Sequence, residues 1–161
     1  MKKTILLTGP IGAGKSVARR YLESLGYPVY DCDSRCKALY VKFPRLLESV
    51  SEEIFTDPAA MKRMEETVFP PLHADILDWK KENEGSDLLF IESATALSKR
   101  QFDDIYDEVW LIDAPFQTRL SRNPKTALRD SLQRFDCSRV SHVLTNDSTP
   151  QELYKKINTL L

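Results

Sequence analysis

Ile5-Leu6-Leu7-Thr8-Gly9-Pro10-Ile11-Gly12-Ala13-Gly14-Lys15-Ser16 opens on a short apolar run and closes on three glycines, a lysine and a serine. The apolar run is too continuous for a half-exposed strand and predicts a buried one. The residues from Gly9 onward fit G-x-x-x-x-G-K-[ST]. Between a strand and a helix, such a loop turns successive backbone N–H groups inward, where they hold a nucleotide's phosphates at the positive end of the helix. Lys15 then reaches the β- and γ-phosphates, and Ser16 ligates Mg²⁺. The chain has five glycines, three of them in this turn, whereas average usage of about 7% would scatter roughly eleven along it. A phosphate cradle accounts for that concentration; a glycine-rich turn without a nucleotide is the alternative.

Similar apolar runs recur at Pro28-Tyr30, Leu88-Ile91, Val109-Ile112 and His142-Leu144, each reading as a strand buried on both faces. Helical patterns lie over 14–25, 34–41, 59–68, 71–82, 116–121, 126–135 and 150–160. Strand and helix in alternation predict an α/β domain with a five-stranded parallel sheet flanked by helices. Asp57-Pro58 and Thr149-Pro150 each set a capping side chain before a proline at the first helical position, and Glu152 completes a capping box with Thr149. The mostly helical stretch from about 43 to 84 predicts a cover over the sheet that holds a second substrate. No repeat or linker divides the sequence, so one domain is expected over 1–161.

Lys and Arg number 23 against 24 Asp and Glu, a net charge of −1. That balance predicts neither nucleic acid nor an anionic membrane as partner, so an anionic ligand must be held by local groups. No apolar run approaches the roughly 18 residues of a membrane span. The first run is also shorter than the roughly seven residues of a signal-peptide core. Cys32, Cys36 and Cys137 suit a reduced, cytoplasmic protein better than a disulfide framework or a zinc site. A monomer acting on a small molecule is the expectation.

The loop alone does not name a reaction. A GTPase needs D-x-x-G and N-K-x-D, but Gly26 and Gly85 are preceded three residues earlier by Glu23 and Glu82, and N-K-x-D is absent. Size and the lack of a glycine-rich signature disfavour a transporter-type ATPase, which leaves small phosphotransferases. In Leu25-Gly26-Tyr27-Pro28-Val29-Tyr30-Asp31-Cys32-Asp33, two acids follow a short buried strand, at the end where parallel sheets bind ligands. A kinase needs a carboxylate there to orient the acceptor hydroxyl and take its proton. Alternatively, Asp33 caps a helix starting at Ser34 and Asp31 is a solvated strand end. Glu92 ends the third predicted strand, where an acid reaches Mg²⁺ through a water or faces solvent. His73 and His142 read as structural.

The chain resembles the dephospho-coenzyme A kinase family, through Leu7-Thr8-Gly9-x-Ile11-Gly12-x-Gly14-Lys15-Ser16-Val17-Ala18 followed by Leu25-Gly26-x-Pro28-Val29-x-Asp31-x-Asp33. Thinner similarity continues through Phe55-x-Asp57-Pro58-Ala59, Val109-x-Leu111-Ile112-Asp113-Ala114-Pro115 and Asn146-Asp147-Ser148. The resemblance implies a P-loop kinase fold, Mg²⁺-ATP as donor, and the ribose 3′-hydroxyl of dephospho-coenzyme A as acceptor. It implies that Gly9, Pro10, Ile11, Gly12, Ala13, Gly14, Lys15, Ser16 and Val17 bind the donor, with Asn146 beside its adenine, and that Asp33 lies nearest the acceptor hydroxyl.

The family's lid arginines stabilise transition-state charge. Here the lid, about 122–134, is shortened. Arg122 fits the arginine of the preceding helix, and Arg129 with Gln133 fits Arg-x-x-x-Gln, which puts Lys15, Asp33, Arg122 and Arg129 in the implied catalytic set. A solvated basic face is the alternative for both arginines. Phe69-Pro70 stands where the family has His-Pro, and Glu92-Ser93-Ala94-Thr95-Ala96-Leu97 where it has Pro-Leu-Leu-Phe-Glu. A kinase for another nucleotide or small metabolite, or a non-catalytic nucleotide-binding module, is the other reading.

Overall fold

Alternate residues of the first strand face opposite ways, and both sides are apolar: Leu6 joins a core on one face of the sheet, Ile5 and Leu7 a second core on the other. The computed structural model describes residues 2–48, 57–130 and 135–161. Five parallel strands, β1 (Lys3–Thr8), β2 (Val29–Asp31), β3 (Leu88–Glu92), β4 (Glu108–Asp113) and β5 (His142–Thr145), stand in the order β2-β3-β1-β4-β5. Because β1 lies centrally with β3 and β4 at its sides, the loop after it opens into the crevice where ligands bind such sheets.

The strands sit where the apolar runs predict them, but β5 is not buried on both faces. It is the sheet's edge, and only Leu144 of its four residues is buried. Edge position, which so short a run does not encode, leaves Val143 exposed. His142 pairs there with Glu108 at 3.3 Å, and His73 bonds Asp104 at 2.9 Å, so both histidines brace the fold.

The helices are α1 (Lys15–Ser24), α2 (Cys32–Lys42), α3 (Pro44–Glu48), α4 (Pro58–Glu82), α5 (Phe116–Arg122), α6 (Thr126–Arg129) and α7 (Pro150–Leu160). Asp57 and Thr149 cap α4 and α7 through the backbone N–H groups of Ala59 and Glu152. Two predicted helices, 59–68 and 71–82, are one. Pro70 and Pro71 lack the N–H groups that continue a helix and cost about 3 kcal/mol each in an exposed interior. The buried stripe of Val68, Phe69, Leu72, Ile76 and Trp79 spans the break and outweighs that cost. α6 ends at Arg129 rather than 135 among the described residues; Gln133 and the rest of the lid's second half lie outside them, as does Phe55 of the cover.

Three contacts fasten α4 to the segment after β3: an ion pair of Glu65 with Lys99, the His73–Asp104 bond, and a bond from Lys80 to the Ile105 carbonyl at 2.9 Å. Helix and segment are thus held together. Among the described residues no helix is long and apolar enough to cross a membrane.

Candidate active site

Gly14 caps α1 in the left-handed region, φ 104°, and a Cβ there would stand 2.2 Å from Asn146 Nδ2. Asn146, just after β5, donates from that nitrogen to the Ala13 carbonyl at 2.8 Å. On the other side of the loop, a Cβ on Gly12 would meet the Arg119 carbonyl at 2.7 Å. The loop therefore closes tightly between α5 and the end of β5, and side chains at those two glycines would block it. Ser16 is exposed in the first turn of α1.

Lys15 Nζ donates to the Gly9 carbonyl at 2.6 Å and to the Pro10 carbonyl at 3.3 Å. Its burial pulls its pKa below the usual lysine value, while the nearby Glu92 and Asp33 carboxylates oppose that pull. A half-buried ammonium held by loop carbonyls, which phosphate oxygens can replace, suits the binding of a phosphate group.

The two acids after β2 divide their work. Asp31 caps α2, accepting the Asp33 N–H at 3.2 Å and the Ser34 hydroxyl at 2.7 Å. The helix starts at Cys32 rather than Ser34, and its cap is Asp31, not Asp33. Asp33, freed of that duty, is exposed and lines a cavity of about 200 Å³ together with Lys15, Asp31 and Glu92. The cavity's floor is apolar, built from Val68, Phe69, Leu72 and Ile76 of α4 with Phe102 and Ile105 beyond β3. Cys32 and Cys36 line it as free thiols whose burial holds them protonated, Cys36 near a pKa of about 11.

Glu92 pairs with Leu7 and Asp31 in the sheet register and is only 8% exposed. Burial and the neighbouring Asp31 push its carboxyl above the usual range, against the pull of Arg19 and Lys15. Arg19 Nε lies 2.7 Å from Glu92 Oε2 and 3.8 Å from an Asp31 oxygen. Sequence reasoning missed Arg19, although its spacing of four from Lys15 puts both on one face of α1.

Arg122 ends α5, the helix that precedes the predicted lid. Its guanidinium donates to the carbonyls of Gly12 (3.1 Å), Ala13 (3.4 Å) and Asn146 (2.7 Å). Arg119, also missed, is 7% exposed and bonds the Ala114 carbonyl at 2.9 Å and Asp130 at 2.6 Å, tying α5 to the end of α6. Arg129 ends α6.

No family model matches the chain. A dephospho-CoA kinase of Porphyromonas gingivalis is 34% identical over 138 residues, covering 74% of this chain and 67% of that one. The chain belongs to the dephospho-CoA kinase family. A Thermus thermophilus crystal structure superposes with a TM-score of 0.77 at 23% identity, over 99% of this chain and 96% of that one. The dephospho-CoA kinase of Campylobacter jejuni follows with 0.57 at 16% identity, over 99% and 98%. The Campylobacter likeness shows the P-loop kinase fold, and the dephospho-CoA kinase relationship makes the chain an ATP-dependent phosphotransferase with a hydroxyl acceptor.

Proposed function

We propose that the chain transfers the γ-phosphoryl group of ATP to the ribose 3′-hydroxyl of dephospho-coenzyme A, the last step of coenzyme A synthesis. The observation that carries this reading is the release of Asp33 from helix capping, which leaves its carboxylate lining the same cavity as Lys15. The cavity's apolar floor suits the faces of a nucleobase.

In this mechanism the loop from Gly9 to Val17 holds the triphosphate and Asn146 flanks the donor base. Lys15 exchanges its loop carbonyls for phosphate oxygens. Asp33 accepts the proton of the acceptor hydroxyl as that oxygen bonds to the γ-phosphorus and the bond to the ADP oxygen breaks. Arg122 orders the loop and Arg129 faces the developing charge. Ser16 and, through a water, Glu92 would hold Mg²⁺: both offer hard oxygens, and the buried Glu92 Oε2 meets Arg19 Nε at 2.7 Å without an aligned hydrogen bond. Mg²⁺, when bound, neutralises charge on the phosphates. The near-neutral net charge argues against nucleic acid or an anionic membrane as partner, and the free thiols suit the cytoplasm.

A panel of acceptors tests this. Dephospho-coenzyme A is expected to raise ADP release from Mg²⁺-ATP well above the acceptor-free rate. If a nucleoside monophosphate does so and dephospho-coenzyme A does not, the acceptor is wrong. ATP binding with no acceptor-dependent ADP release would leave only a nucleotide-binding module.

A further inference from the structure

Three carboxylates crowd the ends of β2 and β3: Asp31, Asp33 and Glu92. Lys15 lies in the field of two of them, Glu92 and Asp33. A buried carboxylate without a partner captures the nearest cation, because burial makes an uncompensated charge expensive. If Glu92 took Lys15, the cation meant for the donor's phosphates would be neutralised before the nucleotide arrived.

Arg19 stands between these groups. It approaches Glu92 at 2.7 Å, Asp31 at 3.8 Å and, from its other end, Glu23 at 3.2 Å. The Arg19–Glu92 contact is not aligned as a hydrogen bond, so its attraction is charge on charge. The groups facing Glu92 are thus Arg19 and Lys15 from α1 and Asp31 from β2. Asp33, in the first turn of α2, is not among the acids Arg19 pairs with; all three acids line the cavity, and Asp33 is the exposed one of them.

The geometry points to Arg19 as a positioning residue that engages Glu92 and Asp31, so that Lys15 stays available to phosphate and Asp33 to the acceptor. The inference rests on the proposed binding of ATP by the loop. Arg19 touches neither substrate; it acts through Glu92.

The test is titration calorimetry with ATP in EDTA, which removes any part Glu92 plays with metal, together with thermal melts. The wild-type chain sets the reference: failure to bind ATP overturns the proposed function itself, and this inference with it. Given wild-type binding, Arg19→Met is expected to weaken ATP roughly tenfold, the scale of one charge-assisted contact between Lys15 and phosphate weakened by competition from Glu92. Arg19→Lys should recover much of that loss. The deciding comparison is Arg19→Met/Glu92→Gln against Glu92→Gln alone. With no charge at position 92 to capture Lys15, losing Arg19 should leave ATP affinity unchanged. This comparison stands even if Arg19→Met alone is too unstable to purify. An Arg19→Met protein that binds ATP like wild type overturns the inference, as does an equal loss of affinity in the Glu92→Gln background. A merely structural arginine would lower the melting temperature in both backgrounds.

Discussion

The Asp31 carboxylate accepts the backbone N–H of Asp33 at 3.2 Å, so that one acid of the pair builds the helix terminus and the other is left over for chemistry. The two roles make opposite demands. A cap must be held by N–H donors, whereas a proton acceptor must present an unengaged oxygen to the incoming hydroxyl.

Substitution separates them. Asp33→Asn keeps the side chain's size and removes the proton-accepting charge, so the phosphoryl-transfer rate is expected to fall by roughly 10²–10⁴-fold with ATP affinity and melting temperature nearly unchanged. Asp31→Ala is expected to cost about 1 kcal/mol of stability through the lost cap. Steady-state rates and melts on both variants check this; near-normal turnover in Asp33→Asn would remove Asp33 from the reaction.

The loop's closure predicts a second contrast. Ala at position 14 must adopt a left-handed φ and push Asn146 off the Ala13 carbonyl. Gly14→Ala should therefore weaken ATP binding about tenfold or more, since such backbone strain alone costs on the order of 1–3 kcal/mol. Gly85→Ala is the control, because a Cβ there meets nothing within 4 Å. Equal ATP affinity in the two variants would show that the loop is not closed by these contacts.

The phosphate loop, the five strands and the helix starts at Asp57 and Thr149 were legible because each follows from local chemistry: apolar runs, glycine placement and cap residues before proline. What was not legible depends on tertiary packing. Pro70-Pro71 marks a helix end by every local rule, yet the buried stripe from Val68 to Trp79 carries α4 through it. His142-Val143-Leu144 resembles a central strand, and only the strand order makes it an edge. Asp31 and Asp33 are equally good caps on paper, and the start of α2 decides between them. Arg19 and Arg119 carry no motif; they are visible only once Glu92 and Asp130 are brought beside them.

Away from the loop, Asp75 of α4 links two elements. It accepts both arms of Arg35 at 2.9 and 3.0 Å and the Tyr30 hydroxyl at 2.6 Å. Partial burial acts to raise its pKa, but these bonds outweigh it and hold the carboxyl below its usual range. A group with a depressed folded-state pKa adds stability above its unfolded value, about 3.9, and loses it as pH falls through the folded one. Asp75→Asn should thus melt below wild type at pH 7, with the gap closing as pH drops from about 5 to below 3. A gap that stays constant over that range would mean the Asp75 charge contributes nothing.

Arg122 distinguishes ordering the loop from stabilising transferred charge. Its guanidinium spans three carbonyls, two in the loop and one beside β5. Hydrogen bonds to a charged group contribute about 1.5–3 kcal/mol each at most, and these are shared with solvent at the partly exposed edge. Arg122→Ala is therefore expected to weaken ATP about tenfold even without acceptor, and to lower the melting temperature by a few degrees. Arg122→Lys keeps the charge but cannot span three acceptors with a planar fork, so it should recover less than half of the lost affinity. If Arg122 acts instead on the transferring phosphoryl group, Arg122→Ala would bind ATP normally and lose only kcat, and Lys would restore much of the rate. Calorimetry with ATP alone, set beside kcat under saturating acceptor, separates the two, and unchanged ATP affinity in Arg122→Ala would refute its part in ordering the loop.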